Sequence, residues 1–245
     1  MDELKVAILQ SSYIPWKGYF DIIHDVDLFI FFDDVQFTKR DWRSRNMIIT
    51  KNGLMWLSVP VLSKGKYEQR ICDVEIDPSQ KWQKAHFSSI THNYSNAPFF
   101  SLYKDFFRQV YLEMRWSNLS ELNQYLIKAI SLDYLGIKTK FGNSSDYDVC
   151  GEKHERLLNL VKATGADIYV SGPSAKNYVI EKDYEEAGTE IYWKDYSDYP
   201  KYRQLHGEFN HNVSILDLLF NTGKGASHYI WGWRKEDLRH DIKER

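Results

Sequence analysis

The sequence predicts an α/β fold: a mostly parallel, Rossmann-like sheet carrying a β-hairpin and a helical insertion. Three observations predict it. Two apolar runs, residues 5–9 and 27–32, end in polar residues and are separated by a short helical pattern. The same alternation of strand and helix returns between residues 152 and 193. Between them, residues 79–136 repeat apolar side chains at intervals of three and four, the spacing of one helical face.

Each element follows from local chemistry. Residues 5–9 form a buried opening strand, and residues 18–24, with Tyr19, Phe20, Ile22 and Ile23, a short helix. Residues 27–32 are apolar on both faces, as a parallel strand covered on both sides requires. Residues 47–50 and 55–59 flank Asn52-Gly53, a hairpin signal. Residues 71–76 alternate and read as a further strand, ended by Asp77-Pro78. Within the helical stretch, Trp82, Ala85, His86 and Ser89 share a face, and residues 99–114 and 119–135 each keep helical periodicity. Gly136 stops the last helix before a strand at 137–141. A helix at 152–164 ends at Gly165, and a strand at 167–170 follows. A helix near 180–187, a strand at 190–193 and an apolar helix at 214–220 complete the pattern. We expect one α/β domain over residues 1–233, with the helical insertion at about 79–136, and a charged, solvated tail at 234–245.

The bulk composition narrows the function. A chain of 245 residues can bury a core without staples. A formal net charge of −2 leaves no global basic field for genomic nucleic acid. The 17 Tyr and 8 Trp supply amphipathic rings that suit stacking on sugars or bases, as well as ordinary core packing. Cys72 and Cys150 form no motif. No run approaches the roughly 18 apolar residues of a membrane span, and the start of the chain is acidic rather than signal-like. A cytoplasmic location is expected.

Candidate site residues cluster past the two N-terminal strands. Gln10, Ser11 and Ser12 lead into a turn punctuated by Pro15 and Gly18. A helix starting there offers free N–H groups to a phosphate, although a tight turn with a buried Trp16 is the plainer reading. Asp33-Asp34 ends the second strand, and only one of two adjacent residues faces a given side. A catalytic or sugar-gripping carboxylate, a metal ligand and a turn-stabilising acceptor are all compatible with it. Lys39, Arg40, Arg43 and Arg45 follow, suited to phosphate or carboxylate, with a solvated loop as the alternative. His86 and His92 sit six apart and share no helical face, so a zinc pair is not expected. His86 is a candidate acid–base group or a structural histidine. Ser171, Gly172 and Lys176 form a polar loop after a buried strand. No metal site is expected.

These residues together resemble the WbqC-like protein family over nearly the whole chain. The resemblance rests on Ala7-Ile8-Leu9-Gln10, Tyr13, Pro15 and Gly18-Tyr19-Phe20. It continues through Asp33-Asp34-Val35, Phe37, Lys39, Trp42 and Arg45-Asn46. Weaker pieces are His86, Tyr94, Ala97-Pro98, residues 134–137, Ser171-Gly172 and residues 214–217. Ser12 stands where the family often has proline. The resemblance implies a bacterial protein of O-antigen or other surface polysaccharide biosynthesis, with transfer of glycine to an amino sugar as one suggested chemistry. A weaker, fold-level similarity to nucleotidyl transferases and pantothenate synthetase is also present. Their His-x-Gly-His signature is replaced here by Trp16-Lys17-Gly18-Tyr19, which weakens the case for adenylate formation and leaves intact a helix N-terminus facing a nucleotide.

The expected activity is therefore transfer of an aminoacyl or acyl group to a nucleotide-linked amino sugar. Asp33, Asp34 or His86 would take the proton, because an ammonium group is not nucleophilic. Gly18, Lys39 and Arg45 would hold phosphates. Gln10, Tyr13, Tyr19 and Asn46 would orient the sugar or acyl group, with Ser171, Gly172 and Lys176 completing the pocket. An adenylate made in place from ATP, a thioester on a carrier protein and a charged tRNA are candidate acyl donors, and a homodimer is a candidate assembly. The alternatives are a glycosyltransferase using a metal-bound nucleotide sugar and a non-catalytic sugar-binding scaffold.

Overall fold

The computed structural model describes residues 3–234. The chain opens as β1 (Lys5–Leu9), turns into α1 (Lys17–His24) and returns as β2 (Leu28–Phe31). A hairpin follows, β3 (Arg45–Thr50) and β4 (Gly53–Ser58). The insertion holds α2 (Trp82–Tyr94), α3 (Phe100–Arg108) and α4 (Leu119–Ala129). Both α3 and α4 run on as π-helical turns, at Gln109–Glu113 and Ile130–Tyr134. The chain then alternates β5 (Lys140–Asn143), α5 (Lys153–Thr164), β6 (Ile168–Ser171), α6 (Glu181–Glu186) and β7 (Glu190–Trp193), before α7 (Ile215–Thr222).

The five sheet strands are parallel, in the order β5-β2-β1-β6-β7. The chain builds outward from β1 on one side, then restarts at β6 on the other. That reversal between β1 and β6 is the topological switch point, where open α/β sheets leave a crevice beyond the carboxyl ends of their strands. The antiparallel hairpin stands apart, with Thr50 paired to Gly53 across the Lys51-Asn52 turn.

Side chains of the strands alternate between two cores. Ala7, Phe29, Phe31, Ile168 and Val170 join α1, the insertion and α7 on one face. Val6, Ile8, Ile30 and Tyr169 join α5 and α6 on the other. Phe29 and Phe31 are fully buried, each worth about 1.5–3 kcal/mol against an exposed state. Phe31 also stacks on Phe141 at 5.7 Å between ring centroids. α5 ends at Gly165, whose φ of 68° is the left-handed conformation glycine adopts without strain.

Two expectations need correction. Residues 71–76 are not a strand: Ile71–Asp73 form a 3-10 turn, and only isolated bridges follow at Glu75 and Ile76. Their backbone instead closes over the segment after β2, with Ile71 N–H on Val35 O at 2.9 Å and Cys72 N–H on Asp33 O at 2.8 Å. Ile71, Val74 and Ile76 are buried, so a 3-10 turn and an extended connector bury this apolar segment without a strand. The second concerns Arg234, placed by the sequence in a solvated tail. Its guanidinium forms a bidentate pair with buried Asp21, at 2.8 and 2.7 Å. Residues 235–245 lie outside the described residues. Among the described residues no helix is long and apolar enough to cross a membrane.

Candidate functional site at the carboxyl edge of the sheet

The turn after β1 and the segment after β2 meet at one edge of the sheet. Tyr13 N–H donates to Trp42 O at 2.9 Å. The Arg43 guanidinium donates to Gln10 O and Ser12 Oγ, both at 3.3 Å, and Tyr19 OH donates to the same Gln10 carbonyl at 3.0 Å. Asn46 Nδ2 reaches Tyr13 O at 3.2 Å and Ile14 O at 2.9 Å. Ile14 has φ of 37°, a conformation that costs a β-branched residue on the order of 1–3 kcal/mol. Asn46 and Tyr19 are therefore clamps on this turn. Ser171 Oγ bonds Tyr169 OH at 3.4 Å, and the Tyr196 hydroxyl would lie 3.4 Å from a Cβ on Gly172. Tyr196 in turn packs on Trp16 at 5.2 Å, so the polar loops after β1 and β6 share aromatic neighbours across the switch point. Lys176 is exposed, its ammonium 5.2 Å from the Trp193 ring centre.

Several candidate residues are committed to the scaffold. A Cβ on Gly18 would fall 2.3 Å from the Trp16 ring. Gly18 thus admits an indole, which covers the start of α1. Lys17 turns inward, donates to Tyr229 O at 3.3 Å and lies over the Tyr199 ring at 4.4 Å, where burial lowers its pKa to about 8. Asp33 is buried and accepts from Ser11 N–H at 2.7 Å, from Ser120 Oγ and from Gln124 Nε2 at 3.3 Å. Asp34 is less buried and accepts from Ser144 Oγ at 2.5 Å and from Arg156. The pair binds the strand end to α4, to the turn after β5 and to α5.

His86 lies inside a chain of hydrogen bonds. Its Nδ1 lies 2.8 Å from Tyr13 OH, a hydrogen bond between two buried side chains. Tyr111 OH then sits 2.5 Å from Tyr13 OH. Burial lowers the His86 pKa to about 4, leaving a neutral imidazole at neutral pH.

The open part of this region is a cavity of about 350 Å3 beside the hairpin. Lys39, Arg40 and Arg45 supply its positive charge, and Ser44, Ser58 and Ser63 supply hydroxyls. Arg45 lies over the Trp56 ring at 4.1 Å, and its Nε is buried without a partner among the described residues. Trp56 is 42% exposed and Trp42 43%, with ring centroids 5.5 Å apart. The sequence placed Lys39 and Arg45 at a phosphate, and the fold puts both on this cavity. It did not single out Trp56, whose signal was its outward position, alternating with buried Leu57 along β4. Among the described residues, no group of three or more His, Cys, Asp or Glu is placed to hold a metal.

Residues 10–229 match the model of the WbqC-like protein family. The chain belongs to the WbqC-like family. The chain is also similar to the uncharacterized protein Rv1507c of Mycobacterium tuberculosis (strain ATCC 25618 / H37Rv), 50% identical over 226 residues, 92% of this chain and 97% of that relative. No solved structure matches the chain. The WbqC-like match spans every element that forms the edge site except β1, from Gln10 through the hairpin to β6 and α7.

Proposed function

We propose that this WbqC-like protein is a transferase of bacterial surface polysaccharide biosynthesis, moving an aminoacyl or acyl group such as glycine onto a nucleotide-linked amino sugar. One observation carries the reading: Arg45 both lines the basic cavity and stacks on exposed Trp56. Three cations on the cavity, with the exposed Trp42–Trp56 pair beside Arg45, suit a phosphate joined to a flat ring. Arg offers a bidentate fork to phosphate oxygens, and indole offers a face to a base or sugar. A volume near 350 Å3 falls at the small end of ligand pockets, so part of the substrate extends over Trp42 and Trp56.

In this reading Lys39, Arg40 and Arg45 hold the phosphates. The transfer forms an amide N–C bond, expels the leaving group of the acyl donor and sheds one proton from the amine. Asp33, Asp34 and His86 are all engaged in hydrogen bonds. None of the three lines the cavity, so the proton passes to solvent water at its mouth. Glycosyl transfer is the competing reading: the same cavity holds the nucleotide, the bond from the anomeric carbon to the diphosphate oxygen breaks, the sugar passes to an acceptor hydroxyl and the nucleoside diphosphate leaves.

Mass spectrometry of surface polysaccharide from a deletion strain tests the reading. Loss of one acyl substituent from an otherwise complete repeat, restored by the wild-type gene and not by Arg45→Glu, supports it. A truncated repeat favours glycosyl transfer, and an unchanged polysaccharide rules out both.

A further inference from the structure

A larger groove, of about 800 Å3, opens between the start of α2, the π-helical end of α3 and the segment after the 3-10 turn. Its floor is apolar and aromatic, with Ile76, Trp82, Tyr111 and Trp116. Its walls are braced. Gln83 Nε2 donates to Met114 O at 3.0 Å and to Val110 O at 3.3 Å, and Trp116 Nε1 donates to Val110 O at 3.0 Å. The Trp116 N–H is thus spent on the backbone.

Charge around the groove is one-sided. Lys81, Lys84 and Arg115 line it, all exposed, and among the described residues none forms an ion pair. The acid that lines it, Glu75, is held by Lys66 at 2.8 Å. Three uncompensated cations over an apolar floor give a local positive potential that the net charge of −2 conceals. The volume lies within the range of small-molecule sites, about 300–1,000 Å3. Tyr111 on the floor of the groove is hydrogen-bonded to Tyr13, which is bonded in turn to His86.

We propose that this groove is a second ligand site, for a small amphipathic anion whose apolar or aromatic body rests on Trp82 and Trp116 and whose anionic group lies among Lys81, Lys84 and Arg115. The assignment is independent of the chemistry proposed for the carboxyl-edge cavity. A purely apolar ligand leaves the cations unused, and a small inorganic anion leaves the floor unused.

The probe is 8-anilinonaphthalene-1-sulfonate, set against N-phenyl-1-naphthylamine, which has the same rings without the sulfonate. Both are titrated into the full-length protein by fluorescence. The sulfonate is expected to fill one saturable site, and the neutral amine to bind weaker by about tenfold or more. The double variant Lys81→Glu/Arg115→Glu should weaken the sulfonate by about tenfold or more, while Lys39→Glu in the other cavity changes it by less than about twofold. All three positions are exposed, so the fold tolerates them. Equal binding of the neutral amine, absence of a saturable site, unchanged affinity in the double variant, or a comparable loss in Lys39→Glu would each overturn the assignment.

Discussion

The side-chain amide of Asn46 donates to the carbonyl of Ile14 at 2.9 Å, and Ile14 is a β-branched residue held at φ of 37°. The hairpin therefore fixes the strained turn that follows β1. Asn46→Ala removes both bonds to that turn and should cost about 2–3 kcal/mol. Asn46→Asp should cost more, because a carboxylate would face two carbonyl oxygens. Urea denaturation of the three proteins checks the order. An Asp variant as stable as wild type would contradict it.

Gly18 and Trp16 make a second close relationship, and they set two effects against each other. Alanine favours a helix over glycine by about 1 kcal/mol. A Cβ at 2.3 Å from a rigid, half-buried indole costs more, about 1–3 kcal/mol in displaced packing. Gly18→Ala should therefore destabilise, with a shift in tryptophan emission. Pairing it with Trp16→Ala should recover part of the loss.

Burial of His86 makes stability depend on pH. The folded pKa of about 4 lies below the usual 6.5, so the unfolded chain binds the proton first as pH falls. The contribution is complete above pH 6.5 and is lost down to about pH 4, roughly 3 kcal/mol in all. His86→Gln should flatten this part of the curve. Denaturation of both proteins between pH 4 and pH 7 measures the difference, and parallel curves would show that His86 titrates normally.

Asp217 is a buried carboxylate with neutral partners. Tyr94 OH donates at 3.0 Å, while Tyr202 OH and Gln204 Nε2 donate at 2.7 Å. Burial raises its pKa despite these donors. Tyr94 also accepts from Ile49 N–H at 3.1 Å, so the cluster joins α7, α2 and the hairpin. Asp217→Ala leaves two phenols and an amide without their acceptor and should cost about 3 kcal/mol or more. Asp217→Asn keeps one acceptor and should cost less. Thermal unfolding of the two variants gives the comparison.

The parallel sheet was legible because its strands are short apolar runs with polar ends, and Asn52-Gly53 announced the hairpin. Residues 71–76 misled because apolar residues at 72, 74 and 76 alternate in the sequence, while the 3-10 turn and the segment after it bury Ile71, Val74 and Ile76, three and two residues apart. The run of bases from Lys39 to Arg45 carried the positive cavity into view. The commitments of Asp33 and Asp34 were hidden by distance along the chain. Ser120 and Gln124 lie 87 and 91 residues from Asp33, and Arg156 lies 122 from Asp34. Trp56 passed as an ordinary strand residue because nothing in β4 alone shows that Arg45 lies over its ring.

Isothermal titration calorimetry with a panel of UDP-, GDP- and dTDP-linked amino sugars tests the central claim, that the Arg45–Trp56 cavity holds a nucleotide-linked sugar. At least one should bind the wild-type protein, and Arg45→Ala and Trp56→Ala should each weaken it by about tenfold or more. Absence of binding across the panel, or unchanged affinity in both variants, would contradict the account.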